Sequence, residues 1–292
     1  MKSLPKINRK SLLYKSNVEY ADYGLNHIEG CSHGCKFPCY AYMMKKRCGV
    51  VKSYNEWISP KIVGNAMELL DKELPRLKNK IHCVFLCFSS DPFMYKQLEV
   101  IKLTLKILEK LNTYGIRSTI ITKGIYPKEL INASKYNSLN EYGSTIVSLS
   151  EEYRKKFEPG AAPIKKRIES LKELHKSGLK TWVSMEPYPT SNIVKQDIKT
   201  ILESISFVDK IVFGRWNYNS MISNQVGVKE FYNSMVNYVI KFCKDKNIDV
   251  HIKEGTITPK ILSSNNEDFF SLKKYIKHSE FQPSDTAIFR IA

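Results

Sequence analysis

Cys31, Cys35 and Cys39 fall within nine residues of a loop that reads Gly30-Cys31-Ser32-His33-Gly34-Cys35-Lys36-Phe37-Pro38-Cys39-Tyr40. Thiolates this close together, in a stretch rich in glycine, proline and polar residues, can converge on one metal centre. Their number is informative. A closed structural zinc site or electron-transfer cluster usually takes four protein ligands, whereas three leave one position open to a further ligand. Three readings meet these residues: an open iron–sulfur site, a zinc site completed by His27 or His33, and buried free cysteines gathered by chance, since cysteine is among the most buried residue types.

Such a loop needs a scaffold, and the chain alternates short β-branched or apolar runs with longer helical patterns, the signal for a parallel sheet with crossover helices. Strands are expected at Val18–His27, Ile81–Phe88, Arg117–Thr122, Ser144–Ser150, Lys180–Met185, Lys210–Phe213 and Ile248–Lys253. Helices are expected at about Pro60–Leu74 (stopped by Pro75), Gln97–Asn112, Pro127–Ala133, Pro163–Lys176, Val194–Ile205 and Lys229–Asp245. Six β/α units and an extra strand are fewer than the eight of a closed barrel. The expected fold is α/β, a partial (β/α)6 TIM-type barrel with the cysteine loop after strand one and short N- and C-terminal extensions. Residues 1–17 form an N-terminal arm, 18–255 the partial barrel, and 256–292 a tail packing on the barrel.

In parallel barrels the chemistry collects at the carboxyl ends of the strands, and here those ends are polar. They read Ser89-Ser90-Asp91-Pro92, Thr122-Lys123-Gly124, Ser148 with Ser150, Ser184-Met185-Glu186-Pro187, Gly214-Arg215-Trp216-Asn217 and His251-Ile252-Lys253-Glu254. Period-two alternation puts Ser184 with Glu186, and Ser148 with Ser150, on the inward face, while Val183, Met185, Val147 and Leu149 pack outward. Any one of these residues is also explained as a turn or helix cap. An open metal centre ringed by hydroxyls, carboxylates and cations suits a zwitterionic, hydroxyl-bearing ligand.

The composition sets the class of partner. The formal charge is +17, but only eight of the 46 basic residues are arginine. A basic surface concentrates polyanions and makes nucleic acid a candidate partner, although lysines on solvated helix faces need no ligand. A hydrophobic content of 42% supports a sizeable core. The first residues lack an apolar signal region and no stretch is long enough to span a bilayer. Seven cysteines then point to thiols and metal ligation in a reducing, cytoplasmic setting, not to disulfides.

Taken together, these residues resemble a radical S-adenosylmethionine enzyme over roughly residues 20–255. The cysteine loop resembles the family's cluster loop. Phe88-Ser89-Ser90-Asp91-Pro92-Phe93, Ile121-Thr122-Lys123, Val147-Ser148-Leu149-Ser150 and Glu158-Pro159-Gly160-Ala161-Ala162-Pro163 with Lys166-Arg167 resemble successive segments of the spore-photoproduct-lyase-like branch. One departure stands out. The usual gaps of three and two residues between the cysteines are here three and three, so Pro38 is expected to absorb a bulge; the competing reading is Cys48 as a fourth ligand.

The resemblance implies a [4Fe–4S] cluster on Cys31, Cys35 and Cys39, with S-adenosylmethionine chelating the open iron and being cleaved to a 5′-deoxyadenosyl radical that abstracts hydrogen from a substrate. It implies a reducing partner such as flavodoxin or ferredoxin. Ser89, Ser90 and Asp91 are expected at the methionyl amine, Ser148 and Lys123 at the carboxylate or ribose, Ser184 and Glu186 along the rim, and Tyr40 at the adenine. Arg215, Trp216 and Lys253 are expected near the substrate, and Cys87 as a hydrogen donor, its bland reading being core packing. The substrate is nucleic acid or a nucleotide on the branch resemblance and a peptide, protein or small metabolite otherwise. A zinc-binding nucleic-acid module without radical chemistry is the rival from another class.

Overall fold

The computed structural model describes residues 3–16, 20–36, 39–258 and Tyr275. In chain order it contains β1 (Lys6–Ile7), β2 (Leu13–Lys15), β3 (Tyr23–Leu25), β4 (Ile28–Glu29), α1 (Tyr40–Arg47), α2 (Tyr54–Trp57), β5 (Lys61–Val63), α3 (Ala66–Leu77), β6 (Cys83–Leu86) and α4 (Leu98–Thr113). There follow β7 (Arg117–Thr122), β8 (Glu141–Thr145), α5 (Glu151–Phe157), α6 (Ile164–Lys176), β9 (Lys180–Tyr188), α7 (Ile198–Ser204), β10 (Lys210–Arg215), α8 (Ser220–Ser223), α9 (Val228–Asp245) and β11 (Asp249–Ile252).

Eight strands make one sheet in the order β11-β10-β9-β8-β7-β6-β3-β2. All neighbours from β3 to β11 run parallel, and β2 adds an antiparallel edge. These seven parallel strands are the expected ones, and no ladder joins β2 to β11 among the described residues, so the barrel is open on one side. The sheet sorts its side chains by period two. Val84, Leu86, Ile120, Val183, Met185, Ile211 and Phe213 join the large core under the helices, while Phe85, Trp182 and Val212 line the inner face with Ile121 and Tyr20.

Three expectations need correction. Residues 60–74 are not one helix, because Lys61–Val63 is a strand between β1 and β4, pairing Ile62 with both Lys6 and Ile28. The helix begins at Ala66 and runs past Pro75 to Leu77, so Pro75 costs it one i→i−4 bond without ending it. Strand four ends at Thr145, not Ser150. There Ser150 accepts from Tyr153 N and caps α5, while Ser148 Oγ accepts from Ser150 N, so local hydroxyl bonds replace the ladder. Residues 3–16 of the expected arm supply β1 and β2. Most of the expected tail lies outside the described residues; the carbonyl of Tyr275 accepts from Ile252 N at 3.0 Å on β11.

Under the cysteine loop lies a buried polar knot. Thr104 Oγ1 donates to the carbonyls of Pro92 and Val100, so His27 Nε2 donates to Thr104 at 2.7 Å and Nδ1 accepts from the Cys87 thiol at 3.4 Å. Burial lowers the His27 pKa to about 3, with the Arg9 guanidinium adding to the effect. The folded protein therefore refuses a proton that the unfolded chain takes up below its ordinary value of 6.5. Stability is expected to fall by about 1.4 kcal/mol per pH unit for this group as pH drops below that value toward the folded pKa. Urea denaturation between pH 7 and pH 5 checks this (about the upper part of that window): His27→Gln should show a shallower pH slope than the parent.

Candidate active site

The cysteine loop leaves the small sheet at Gly30, whose φ is +84° and whose added Cβ would lie 2.6 Å from the Trp57 carbonyl. The same carbonyl accepts from Cys31 N at 2.8 Å, and Ser32 N donates to Met94 Sδ at 3.2 Å, so the first half of the loop is tied down on both sides. Cys39 is the N-cap of α1 and Cys48 its C-cap. All three loop cysteines are half-buried and free. Burial pushes the Cys31 and Cys35 thiols up, and Cys31 also feels Asp91, Cys35 and Cys39. Such thiols ionise in step with metal binding.

Asp91 braces the loop. Its Oδ1 accepts from Phe93 N at 3.0 Å and from Thr122 Oγ1 at 2.6 Å, and its Oδ2 accepts from Lys123 N at 2.8 Å. The remaining side faces His33 Nδ1 at 3.4 Å. Because His33 Nε2 accepts from Tyr95 N, the ring proton is on Nδ1 and points at the carboxylate. Burial lowers the His33 pKa, which keeps the ring neutral. Ser90 Oγ donates to the Gly30 carbonyl.

Behind Cys35 a second clamp closes. Lys36 N donates to the Phe157 carbonyl at 2.8 Å, and Gly160 N donates to the His33 carbonyl at 2.9 Å. A Cβ on Gly160 would stand 2.1 Å from the Ser32 carbonyl, so only glycine permits this approach. Next to it Glu158, 2% exposed, takes Lys123 Nζ and Arg167 Nη1, each at 2.8 Å. Lys123 and then Arg167 hold the Glu158 carboxyl at about 2, overcoming the larger opposing effect of burial. Arg167 also donates to the carbonyls of Ala162 and Thr145.

At the open mouth, Tyr40 and Phe88 are exposed (47% and 41%) and meet edge to face at 6.3 Å. Phe88 touches Phe85 at 5.9 Å, and Phe85 and Trp182 both stack on Tyr20, at 5.5 and 5.6 Å. Lys253 Nζ lies 5.0 Å from the Tyr20 ring centre and 3.3 Å from its hydroxyl, linking the two sides of the open barrel. Gly214 makes room for this group: a Cβ there would be 2.8 Å from Glu186 Cδ and 3.0 Å from Lys253 Cγ. Residues 25–205 match the Radical SAM superfamily.

The chain belongs to the radical SAM superfamily.

Relatives and solved structures of similar fold are as follows. An uncharacterised protein of Methanocaldococcus jannaschii is 26% identical over 265 residues, covering 84% of this chain and 97% of that protein. One from Acidianus two-tailed virus is 29% identical over 69% of each chain. A spore photoproduct lyase variant with bound AdoMet and dinucleoside spore photoproduct superposes with a TM-score of 0.56 at 15% identity. The match covers 78% of this chain and 65% of that one, just under two thirds of its length. At that identity the likeness is one of fold.

Radical SAM enzymes use a [4Fe–4S] cluster and S-adenosylmethionine, and the residues here fit that donor set. The loop offers three thiols, and its neighbouring imidazoles are spent on Asp91, Tyr95, Thr104 and Cys87 instead of a metal. Cys48 cannot be the fourth ligand, since the helix between it and Cys39 sets them about 13 Å apart. Among the described residues no three His, Cys, Asp or Glu side chains converge as they would on a single ion. The extra loop residues Phe37 and Pro38 lie outside the described residues.

The structure redistributes the expected radical SAM site. Asp91 is filled by protein donors and Ser90 gives its proton to the Gly30 carbonyl, so both brace the loop, whereas Ser89 Oγ is buried without a partner among the described residues and keeps its capacity for a ligand. The Lys123 ammonium donates to Glu158. Ser148 is buried and bonded to Ser150 N, while Ser184 and Glu186 face inward with Tyr40 at the rim. Arg215 and Trp216 do not reach the lumen. Outward parity on β10 puts Arg215 over the Tyr232 ring at 5.7 Å, and Trp216, 1% exposed, packs edge-on against Phe157. Cys87 is turned away as well. Its φ of +58° breaks the alternation and sends the thiol into a small core with Ile28, Ile62 and Met94, where burial pushes its pKa up. Glu158, Arg167 and Tyr20 had no assigned role in the sequence; Glu158 and Arg167 did stand inside a family-like segment.

Proposed function

We propose that this chain is a radical SAM enzyme that abstracts hydrogen from a nucleic acid or nucleotide. The observation that carries the substrate class is the inner wall. Tyr20, half-buried, stacks over the buried Phe85 and Trp182 rings beside the Lys253 ammonium, and Trp182 Nε1 is a buried donor without a partner among the described residues. Bases stack on such surfaces, hydrogen-bond to buried donors, and bring phosphates to cations. The charge of +17 supports the reading, as does the fold shared with an enzyme seen with a dinucleoside.

Bound together, the cluster and S-adenosylmethionine supply a 5′-deoxyadenosyl radical and methionine, with the electron drawn from a reductant such as flavodoxin or ferredoxin. The chain's own part is placement. Cys31, Cys35 and Cys39 would hold the iron, Ser89 would offer a hydroxyl beside the loop, and Tyr40 would offer a ring for the adenine. Ser184 and Glu186 line the rim. Phe85, Ile121 and Val212 keep water from the reacting atoms. Neither Cys87 nor Trp216 is placed for a direct role.

Binding of a dinucleotide to the reconstituted protein tests the substrate class. Lys253→Gln should weaken it by about tenfold, or roughly 1.4 kcal/mol, and the parent's affinity should fall steeply with salt. Indifference of the parent to DNA, RNA and dinucleotides at low salt would move the reading to a peptide or small metabolite.

A further inference from the structure

Two buried donors near the turn that braces the cysteine loop have no acceptor among the described residues. Tyr153, 4% exposed, packs its ring on Phe157 at 4.9 Å, and its hydroxyl has no partner among the described residues. Arg167, 1% exposed, spends Nε and Nη1 on Ala162, Thr145 and Glu158, yet Nη2 has no acceptor among the described residues. A buried donor left unpaired is costly, which favours an acceptor arriving in this corner. Cys35 is the ligand this corner braces, because the next residue, Lys36, donates from its N to the carbonyl of Phe157, the ring on which Tyr153 packs and the chain neighbour of Glu158. Backbone bonds from Lys36 to Phe157 and from Gly160 to His33 hold the two segments together.

Charge points the same way. Two cations against one carboxylate leave the Lys123–Glu158–Arg167 triad with one net positive charge, buried and therefore poorly screened. Reduction adds one electron to a cluster already ligated by thiolates, so nearby positive charge and donors to sulfur stabilise the reduced form over the oxidised one.

Building on the radical SAM reading, we propose that Tyr153 and the Lys123–Glu158–Arg167 triad are positioning residues that set the reduction potential of the cluster through Cys35. The triad's charge does this at a distance, and the unpaired Tyr153 hydroxyl adds a buried dipole on the same side of the loop. Glu158 keeps two like charges together and tempers their effect.

The test is a dithionite titration of the anaerobically reconstituted protein without S-adenosylmethionine, followed by electron paramagnetic resonance. Glu158→Gln leaves two net positive charges and should move the potential upward. Lys123→Gln leaves none and should move it downward. Tyr153→Phe removes only the donor and should also lower it, with iron content unchanged. The signs are the discriminating readout, since a merely structural role would loosen the cluster in every variant alike. Potentials that do not move, or that move the same way in Glu158→Gln and Lys123→Gln, overturn the proposal. If either charge variant fails to load iron, Tyr153→Phe decides it alone. A parent protein that takes up no reducible four-iron cluster would instead overturn the reading on which it rests.

Discussion

Cys35→Ala is expected to give a folded, colourless protein that forms no 5′-deoxyadenosine. Two thiolates cannot retain a cluster that needs three, and no side chain nearby can substitute: His33 and His27 are bonded within the protein, and Cys48 is at the far end of α1. The fold should survive because Cys35 is only half-buried at the margin of the main core, so the loss is about 1 kcal/mol. Iron and sulfide analysis with circular dichroism checks both halves. The same outcome is expected for Cys31→Ala and Cys39→Ala, while Cys48→Ala should load iron like the parent.

Asp91→Asn should separate scaffolding from chemistry in a different way. The carboxylate accepts from Phe93 N, Thr122 Oγ1 and Lys123 N and faces the His33 ring proton. An amide can accept on one side only, and its NH2 group then meets either the Phe93 and Thr122 donors or those of Lys123 and His33. Losing two hydrogen bonds to a charged acceptor, and burying opposed donors, costs about 3 kcal/mol. The released His33 frees the loop between Cys31 and Cys35. Thermal unfolding should fall by several degrees and iron content should drop in parallel. Had Asp91 been a ligand for the methionyl amine, the variant would instead load iron normally and lose only affinity for S-adenosylmethionine.

What the sequence shows and hides follows from the range of the interactions. The seven parallel strands are apolar runs and the cysteines a local spacing, so both can be read directly. β5 cannot, since Ile62 and Val63 obey a helical pattern and become a strand only by pairing with residues far upstream. Asp91 is visible as a polar strand end, but whether its carboxylate is free or filled depends on donors from three segments. Arg215 lies at a strand end too, and its outward parity decides against the lumen. Cys87 defies parity because its backbone turns left-handed without a glycine. The Glu158 triad joins residues from the loop after β7, the α5–α6 turn and α6, and nothing in their spacing announces that they meet.

The most direct measurement is anaerobic reconstitution with iron and sulfide, reduction by dithionite and addition of S-adenosylmethionine, with the products separated and identified. The account predicts a brown protein that yields methionine and 5′-deoxyadenosine. A protein holding one zinc ion per chain on these thiols, or a reduced cluster beside which S-adenosylmethionine stays whole, would contradict it.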